Sequence, residues 1–323
     1  MSDDASAQVI LTATAGPLSA PAADAVRALA DRAAAADGVA PLSEQPLLWL
    51  SEPEASVIHL QAHGPSDLLG YAQLDVGTQS SARAELVVDP EHRRAGIGRA
   101  LLARAVAETA VVPGRELRIW AHGDLPAARA FADETGMPVV RELLQMRVDL
   151  TARAAGTASL PAGVTVRAFE PGRDEDAWRR VNSRAFAHHP EQGRMTSADL
   201  RAREQEPWFD PAGFLLAERD GILLGSVWTK VHPAGEHGPD PVGEIYVVGV
   251  DPDAQGLGLG RALTALGLDH LAARGLGAAI LYTDADNTVA VHTYERAGFV
   301  RSAVDVMFGS DTPSSPPDVT MGA

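Results

Sequence analysis

The feature that most restricts the fold of this 323-residue chain is that its sequence contains one pattern twice. With a constant offset of 162 positions, the two occurrences coincide in three segments: Val88-Asp89-Pro90 with Val250-Asp251-Pro252, residues 93–101 with 255–263, and Gly136-Met137 with Gly298-Phe299. No gap is needed over about fifty residues. The repeat indicates two copies of one fold, and the chain length independently predicts two domains.

The segments outside the two copies lack the periodic spacing of apolar residues that is typical of helices and strands. Residues 151–163 are rich in Ala, Gly, Thr and Pro, which predicts a linker. Residues 310–323 contain three prolines and are predicted to form a disordered tail. We therefore predict an N-terminal domain over 1–150 and a C-terminal domain over 164–309.

Alternating strands and helices are indicated within each copy. In the second copy, Glu244–Val250 is β-branched and aromatic and ends at Asp-Pro, which predicts a strand. Apolar residues recur at helical spacing over 263–271, Ala279–Thr283 favours another strand, and Thr288–Arg296 favours a helix that stops at Gly298. The predicted fold class is α/β, with a mixed α+β sheet in both copies.

Composition restricts the partners. The 43 acidic and 27 basic residues give a formal net charge of −16, which argues against nucleic acid and anionic membranes as partners. A solvated acidic surface and a cationic substrate are both compatible with this charge. No basic residue precedes Arg27, unlike a secretory signal, and no apolar stretch approaches the roughly 18 residues of a membrane helix. We expect a cytoplasmic monomer that acts on a small molecule.

No metal site is predicted. The chain has no cysteine, which excludes disulfides and cysteine-ligated metals. His188-His189 and the pair His232 and His237 lack metal-ligand spacing, and no HExxH pattern occurs.

The turn Gln255-x-x-Gly258-x-Gly260, between a strand and a helix, is typical of an anion-binding device. Helix N-termini present unpaired N–H groups, and glycine lets the backbone approach a phosphate closely. A dinucleotide fingerprint needs a third glycine where Leu263 stands, and a P-loop needs a lysine that neither copy has. A purely structural turn remains an alternative.

Because the turn occurs twice, as Arg93-x-x-Gly96-x-Gly98 and Gln255-x-x-Gly258-x-Gly260, each after a strand ending in Asp-Pro, the chain resembles the GNAT acyltransferase superfamily. The segment Asn287-x-x-Ala290-x-x-x-Tyr294-x-x-x-Gly298-Phe299 is similar to the second signature of that family. The resemblance implies two tandem GNAT domains that bind acetyl-CoA as co-substrate. The residues it implies as acetyl-CoA contacts are Leu86, Val87, Val88, Arg94, Ala95, Gly96, Ile97, Gly98 and Arg99 in the first copy, and Val248, Gly249, Val250, Gln255, Gly256, Leu257, Gly258, Leu259, Gly260, Arg261, Asn287, Thr288, Val289, Ala290, Val291 and His292 in the second.

Only the second copy carries the acid and base that the resemblance implies. Glu244 opens the central strand, where GNAT enzymes keep a general base, and Tyr294 lies where many members keep a phenol as general acid. At the constant offset the first copy has Ala82 and Ala132 instead. We therefore expect the first copy to hold acetyl-CoA without turning it over.

Residues 182–193, 228–233 and 243–247 closely resemble the mycothiol synthases, a family of tandem GNAT enzymes from actinobacteria. The resemblance implies transfer of acetyl to the cysteinyl amine of a cysteine–glucosamine–inositol pseudodisaccharide. It also implies a set of substrate-contacting residues: Glu44, Glu191, Lys230, Glu244 and Tyr282. Carboxylates and an ammonium suit the many hydroxyls of such a substrate, and Lys230 is the only lysine of the chain.

Two alternatives stay open at this stage. One is an N-acetyltransferase for a different small amine, such as an aminoglycoside or a peptide N-terminus. The other is a non-catalytic acetyl-CoA-binding module, against which Glu244 and Tyr294 argue.

Overall fold

The computed structural model describes residues 9–153, 159–187 and 192–309. The chain separates into two compact units: unit 1 contains the residues up to Leu143 and those from Val304, and unit 2 is Leu144–Ala303. Residues 144–150, which the sequence places in the first domain, thus belong to unit 2, and residues 304–309 belong to unit 1. The predicted tail, 310–323, lies outside the described residues, as do residues 154–158 of the predicted linker.

Unit 1 is a mixed sheet with helices. Its elements are β1 (Ile10–Ala15), α1 (Ala20–Asp37), α2 (Glu44–Leu48), β2 (Val57–His63), β3 (Leu68–Asp75), β4 (Ser81–Val88), α3 (Ile97–Thr109), β5 (Glu116–Ala121) and α4 (Pro126–Thr135). The strands are antiparallel in the order β1-β2-β3-β4, and β5 is parallel to β4. The end of β12 (Val300–Gly309) pairs antiparallel with β5, with Met307 opposite Trp120.

Unit 2 repeats this plan. Its elements are β6 (Val139–Asp149, from Leu144 on), β7 (Thr165–Ala168), α5 (Glu175–Ala185), α6 (Ser197–Glu204), β8 (Phe214–Arg219), β9 (Ile222–His232), β10 (Val242–Val250), α7 (Leu259–Ala273), β11 (Ala278–Asp284) and α8 (Thr288–Arg296). The strands lie in the order β11-β10-β9-β8-β7, with β6 beside β11. The pairs β10–β9, β9–β8 and β8–β7 are antiparallel, and the pair β10–β11 is parallel.

Aromatic side chains form the core of unit 2 beside β8 and β9. The Phe214 ring stacks between Phe169 and Trp228, with centroid distances of 4.3 and 4.5 Å. Trp178 meets both Phe214 and Trp228 edge-on, and its indole N–H donates to Ser226 Oγ at 2.9 Å. Offset-stacked and edge-on pairs are the favourable arrangements for buried rings, so this cluster holds β9 in a defined position beside β10.

Both units therefore have the mixed α/β architecture predicted from the repeat. Among the described residues, no helix combines the length and the apolar character needed to cross a membrane.

Candidate active site

The central strands of unit 2 separate in the middle of the sheet. Strand β10 pairs with β9 along its whole length, but its registered pairing with β11 covers only Gly243 with Ala279 and Glu244 with Ile280. A shift of register between Ile245 and Val247 marks an irregularity at the point of separation. Beyond it, backbone N–H and C=O groups on the β11 side of β10 are open to an extended ligand, which would bind as an added strand does. The predicted contacts Val248–Val250 lie on this segment.

The glycine turn lies directly after β10 and carries the positive φ angles that glycine tolerates. Gly256 has φ +81° and Gly258, the N-cap of α7, has φ +75°. No side chain caps this helix, so the N–H groups of its first turn are left for an anion. Gln255 and Leu257 are exposed here. The local backbone therefore offers N–H groups to an anion, and binding of the coenzyme A pyrophosphate at this turn remains a prediction.

Residues 287–292 form the start of α8. Asn287 is the N-cap, and its side-chain oxygen accepts from the Ala290 N–H at 3.1 Å. The amide side chain that the second signature contains thus stabilises the helix terminus. Val291 is buried, whereas Val289 is 77% exposed, so one face of this turn is available for a ligand.

Glu244 is buried at the last registered pair of β10 with β11, with 6% of its surface exposed. Its Oε2 lies 2.6 Å from Nε2 of His232, the last residue of β9. A buried carboxylate that a hydrogen-bonded partner holds in place suits a general base. Its role as the base remains a prediction.

Tyr294 lies on α8, and its ring meets Phe299 edge-on at 5.9 Å. Burial raises the pKa of Tyr294 to about 12. The phenol therefore keeps its proton at neutral pH. This protonation state is the one that a general acid requires.

A cluster of titratable groups that the sequence analysis did not anticipate adjoins Glu244. His232 Nδ1 lies 2.8 Å from Glu236 Oε2, and the ring of His237 meets His232 edge-on at 4.4 Å. The ligand atoms of these three residues lie within 4.8 Å of one another, close enough to hold a metal ion. The sequence spacing of His232 and His237 did not predict that their rings lie together, because a loop and not a helix connects them.

The predicted substrate contacts of unit 2 lie on β9, β10 and β11. Lys230 is directly opposite Glu244 in the β9–β10 register, so both side chains leave the same face of the sheet. The Lys230 ammonium lies 4.6 Å from the centre of the Trp208 ring and 5.4 Å from that of Tyr246, both within cation–π range. The sole lysine is thus held by aromatic rings and lies opposite Glu244.

The other predicted substrate contacts have different surroundings. Tyr282, on β11, accepts a hydrogen bond from Gln145 Nε2 at 2.8 Å. Glu44 is the first residue of α2, in unit 1, and is partly exposed. Glu191 lies outside the described residues.

Unit 1 has the same strand separation and glycine turn. The registered pairs of β4 with β5 end at Glu85 and Trp120, so the predicted contacts Leu86–Val88 follow the last pair. Gly96, with φ +84°, is the N-cap of α3, and no side chain caps that helix. The guanidinium of Arg93, the first residue of the signature, is bonded to both carboxylate oxygens of Asp37 at 2.8 and 2.7 Å. The backbone of this turn can accommodate a phosphate, as can the backbone of the corresponding turn in unit 2.

Unit 1 also contains a buried carboxylate that the constant offset concealed. Glu85 lies at the last registered pair of the parallel strands β4 and β5, whereas Ala82, which the constant offset aligns with Glu244, lies earlier in β4. Both of its oxygens accept from Ser43, one from the backbone N–H and one from the hydroxyl, at 2.6 Å each. His122 lies between Glu85 and Asp305, at 3.4 and 3.1 Å. Burial would lower the pKa of His122, but the charge of Glu85 and the bond to Asp305 raise it to about 10.

Comparison with known proteins agrees with this geometry. Residues 178–299 match the model of the acetyltransferase (GNAT) family, and residues 55–132 match that of an acetyltransferase (GNAT) domain. A mycothiol acetyltransferase from Cellulomonas flavigena is 64% identical, and the alignment covers 100% of both chains. A mycothiol acetyltransferase from Sanguibacter keddieii is 55% identical over 90% of this chain and 93% of its own.

A solved structure shares the whole fold. A tandem GNAT protein from the clavulanic acid biosynthesis pathway superposes with a TM-score of 0.69 at 19% identity, covering 95% of this chain and 100% of that one. Together with the two domain matches, it confirms the predicted fold class of two GNAT domains in tandem.

Proposed function

The chain belongs to the mycothiol acetyltransferases, tandem members of the GNAT family, and from this premise we propose that it transfers the acetyl group of acetyl-CoA to the cysteinyl amine of cysteine–glucosamine–inositol. This reaction is the last step of mycothiol formation. The observation that carries the proposal is the 64% identity over the full length of a mycothiol acetyltransferase, combined with a buried carboxylate at the strand separation of unit 2.

The proposed reaction begins with a proton transfer. An α-ammonium has a pKa of about 7.7–8.0, so at neutral pH the Glu244 carboxylate needs to accept one proton to produce the neutral nucleophile. The amine then attacks the thioester carbonyl carbon, and the C–S bond breaks. Tyr294 donates its phenolic proton to the leaving thiolate and recovers one from the nitrogen of the new amide. One proton is released to solvent in each turnover.

Binding of coenzyme A is proposed to rest mainly on backbone groups. The N–H groups at the start of α7 would receive the pyrophosphate, and the open edge of Val248–Val250 would pair with the pantetheine arm. The turn itself reads Gln255-Gly256-Leu257 and has no basic side chain before Arg261. Helix N-termini bind phosphate through N–H groups and the dipole alone, which makes this arrangement sufficient.

The acceptor is proposed to bind through a cationic and an anionic group that face the same side of the sheet. Lys230 would donate to hydroxyls of the sugar or inositol, and Glu244 would receive the cysteinyl ammonium. The separation of a fixed ammonium and a fixed carboxylate gives the substrate one orientation, with its amine at the base. Unit 2 is accordingly proposed as the catalytic unit, and unit 1 as a unit that holds acetyl-CoA without turnover.

The deciding experiment compares two acceptors under one set of conditions. The purified chain is supplied with acetyl-CoA and either cysteine–glucosamine–inositol or the same pseudodisaccharide without its cysteine, and acetylated product is measured by mass spectrometry. We expect turnover of the cysteinyl compound alone. Equal turnover of both, or turnover of an aminoglycoside in place of either, would contradict the proposed acceptor.

A further inference from the structure

We propose that His232 is a positioning residue of the transfer, an imidazolium that holds the Glu244 carboxylate in place and is itself held by Glu236. The inference rests on the proposed role of Glu244 as the base.

The geometry is a chain of three groups that leads from the buried base to the surface. Nε2 of His232 donates to Glu244 Oε2 at 2.6 Å, and Nδ1 donates to Glu236 Oε2 at 2.8 Å. The His232 side chain is 8% exposed, whereas that of Glu236 is 53% exposed. Both distances are those of charge-assisted hydrogen bonds.

Two carboxylates on one ring require the charged form of that ring. A neutral imidazole has a single N–H and can donate to only one of them, whereas the imidazolium donates to both. Burial acts to lower the pKa of His232, but the bonds to Glu244 and Glu236 outweigh it and raise the pKa above its usual value. Lys230 acts in the opposite direction, and burial lowers the pKa of the neighbouring His237, which favours its neutral form.

The consequence for catalysis is orientation of the base. The bond to His232 occupies Oε2 of Glu244, so we assign Oε1 as the atom that accepts the proton of the ammonium. Without that bond the carboxylate group is free to rotate about its last torsion, which is broad and roughly two-fold. A misplacement of about 1 Å in a catalytic group can reduce the rate about 100-fold.

The duplicated unit supports this interpretation. In unit 1, His122 lies between Glu85, at the last registered pair of the parallel strands, and a second carboxylate, Asp305. There Ser43 occupies both oxygens of Glu85, so the carboxylate has a structural role. A carboxylate at the last registered parallel pair, an imidazole and a second carboxylate thus occur together in both units.

A metal ion is the competing explanation for the cluster of His232, Glu236 and His237. An imidazolium has no lone pair for a metal, and both nitrogens of His232 already contact carboxylates. A metal centre also needs His237 as a ligand, whereas the positioning role does not. His237 therefore separates the two explanations.

The experiment compares three variants with the wild type: His232→Gln, Glu236→Gln and, as the matched control, His237→Gln. Steady-state rates are measured from pH 6 to pH 10 after dialysis against a chelator, with and without added Zn²⁺, and folding is checked by circular dichroism. We expect kcat of His232→Gln to fall about 10- to 100-fold, with KM for acetyl-CoA unchanged. We expect the decline of wild-type kcat at high pH to begin at a lower pH in Glu236→Gln, and His237→Gln to stay within about twofold of the wild type.

Loss of wild-type activity on chelation, restored by Zn²⁺ and abolished by His237→Gln, would overturn the proposal in favour of a metal centre. An unchanged kcat and pH profile in His232→Gln would overturn it as well. The protonation state of His232 can be measured without turnover, which tests this inference independently of the proposed function. The measurement is the ¹⁵N chemical shifts of the His232 ring, and these signals are assigned by their absence in His232→Gln. We expect both nitrogens to be protonated at pH 7.5, and a neutral ring would refute the imidazolium even if the acceptor proved to be a different amine.

Discussion

Replacing Glu244 by glutamine tests the catalytic assignment most directly, because glutamine keeps the shape of the side chain and removes its basicity. The amide oxygen can still accept the Nε2–H of His232, whose partner distance is 2.6 Å in the wild type. The fold should therefore be retained, at a cost of about 1 kcal/mol for exchanging a charged hydrogen bond for a neutral one. General-base catalysis contributes about 10²- to 10⁴-fold, so we expect kcat at pH 7 to fall by that factor, equivalent to about 2.7–5.4 kcal/mol in the barrier.

The pH dependence of this defect separates loss of a base from loss of shape. The amine of the acceptor has a pKa of about 7.7–8.0, so above pH 9 most of it is already neutral and a base is less necessary. The ratio of wild-type to variant kcat should therefore narrow as pH rises from 7 to 9.5. Initial rates of acetylated product at saturating substrates, measured by liquid chromatography, provide the ratio.

The matched control is Glu85→Gln, the same substitution at a buried carboxylate of unit 1, where the registered pairs of β4 with β5 end. It weakens the two bonds from Ser43 and removes a counter-charge of His122, so we expect a loss of stability of about 2–4 kcal/mol. We expect kcat at a temperature where the variant is folded to stay within a few-fold of the wild type. A Glu244→Gln enzyme that keeps more than a third of its kcat at pH 7, or equal kcat losses in both variants, would refute the reasoning.

Three further predictions concern the turns, the lysine and a buried ion pair. Gly260→Asp should raise KM for acetyl-CoA about 100-fold, because the new carboxylate repels the pyrophosphate. Gly98→Asp should leave turnover intact. Equal effects of the two substitutions on turnover would contradict the proposal that only unit 2 is catalytic. A Cβ atom added at Gly98 or Gly260 would lie 3.6 Å or more from its nearest neighbours, which is an ordinary van der Waals distance. The melting temperatures of both variants should therefore be close to that of the wild type. Lys230→Met should raise KM for the pseudodisaccharide about 10- to 100-fold, the value of a charged hydrogen bond, and an unchanged KM in the same rate assay would exclude Lys230 from the acceptor site. His122→Gln should lower the free energy of unfolding by about 3–5 kcal/mol near pH 6. The pKa of His122 is raised to about 10 in the folded protein from a value near 6.5 in the unfolded chain. The stabilisation by charged His122 is therefore fully present below pH 6.5 and is lost as pH rises toward 10. The free energies of unfolding of the wild type and His122→Gln, measured by urea melts, should converge at alkaline pH, and a constant difference would refute the charged state.

The duplication, the mixed α/β architecture and the two glycine turns could all be predicted from sequence, because each depends on local properties. Positive φ at Gly258 and Gly96 is a property of a few consecutive residues, and apolar periodicity identifies a strand or a helix without knowledge of its neighbours. Membership of the family followed from the same local signatures.

Sequence reasoning reached its limit at the surroundings of the buried carboxylates. The offset aligns residues along the chain, but it does not show where the registered pairing of the two parallel strands ends, which only the folded sheet contains. Glu85 was therefore missed. The bounds of the two units differ from those of the two sequence copies, since nothing in residues 144–150 or 304–309 specifies the unit to which they belong.

What the chain determines by itself is thus a backbone able to hold a diphosphate at two helix N-termini, together with the family to which it belongs. What only the tertiary structure decides is the environment of the buried carboxylates. His232 meets Glu244, twelve positions away in sequence, because two antiparallel strands bring their ends together, and His122 meets Asp305 across 183 positions. Contacts between side chains depend on strand register and long-range pairing, whereas backbone conformation depends on neighbours in the chain.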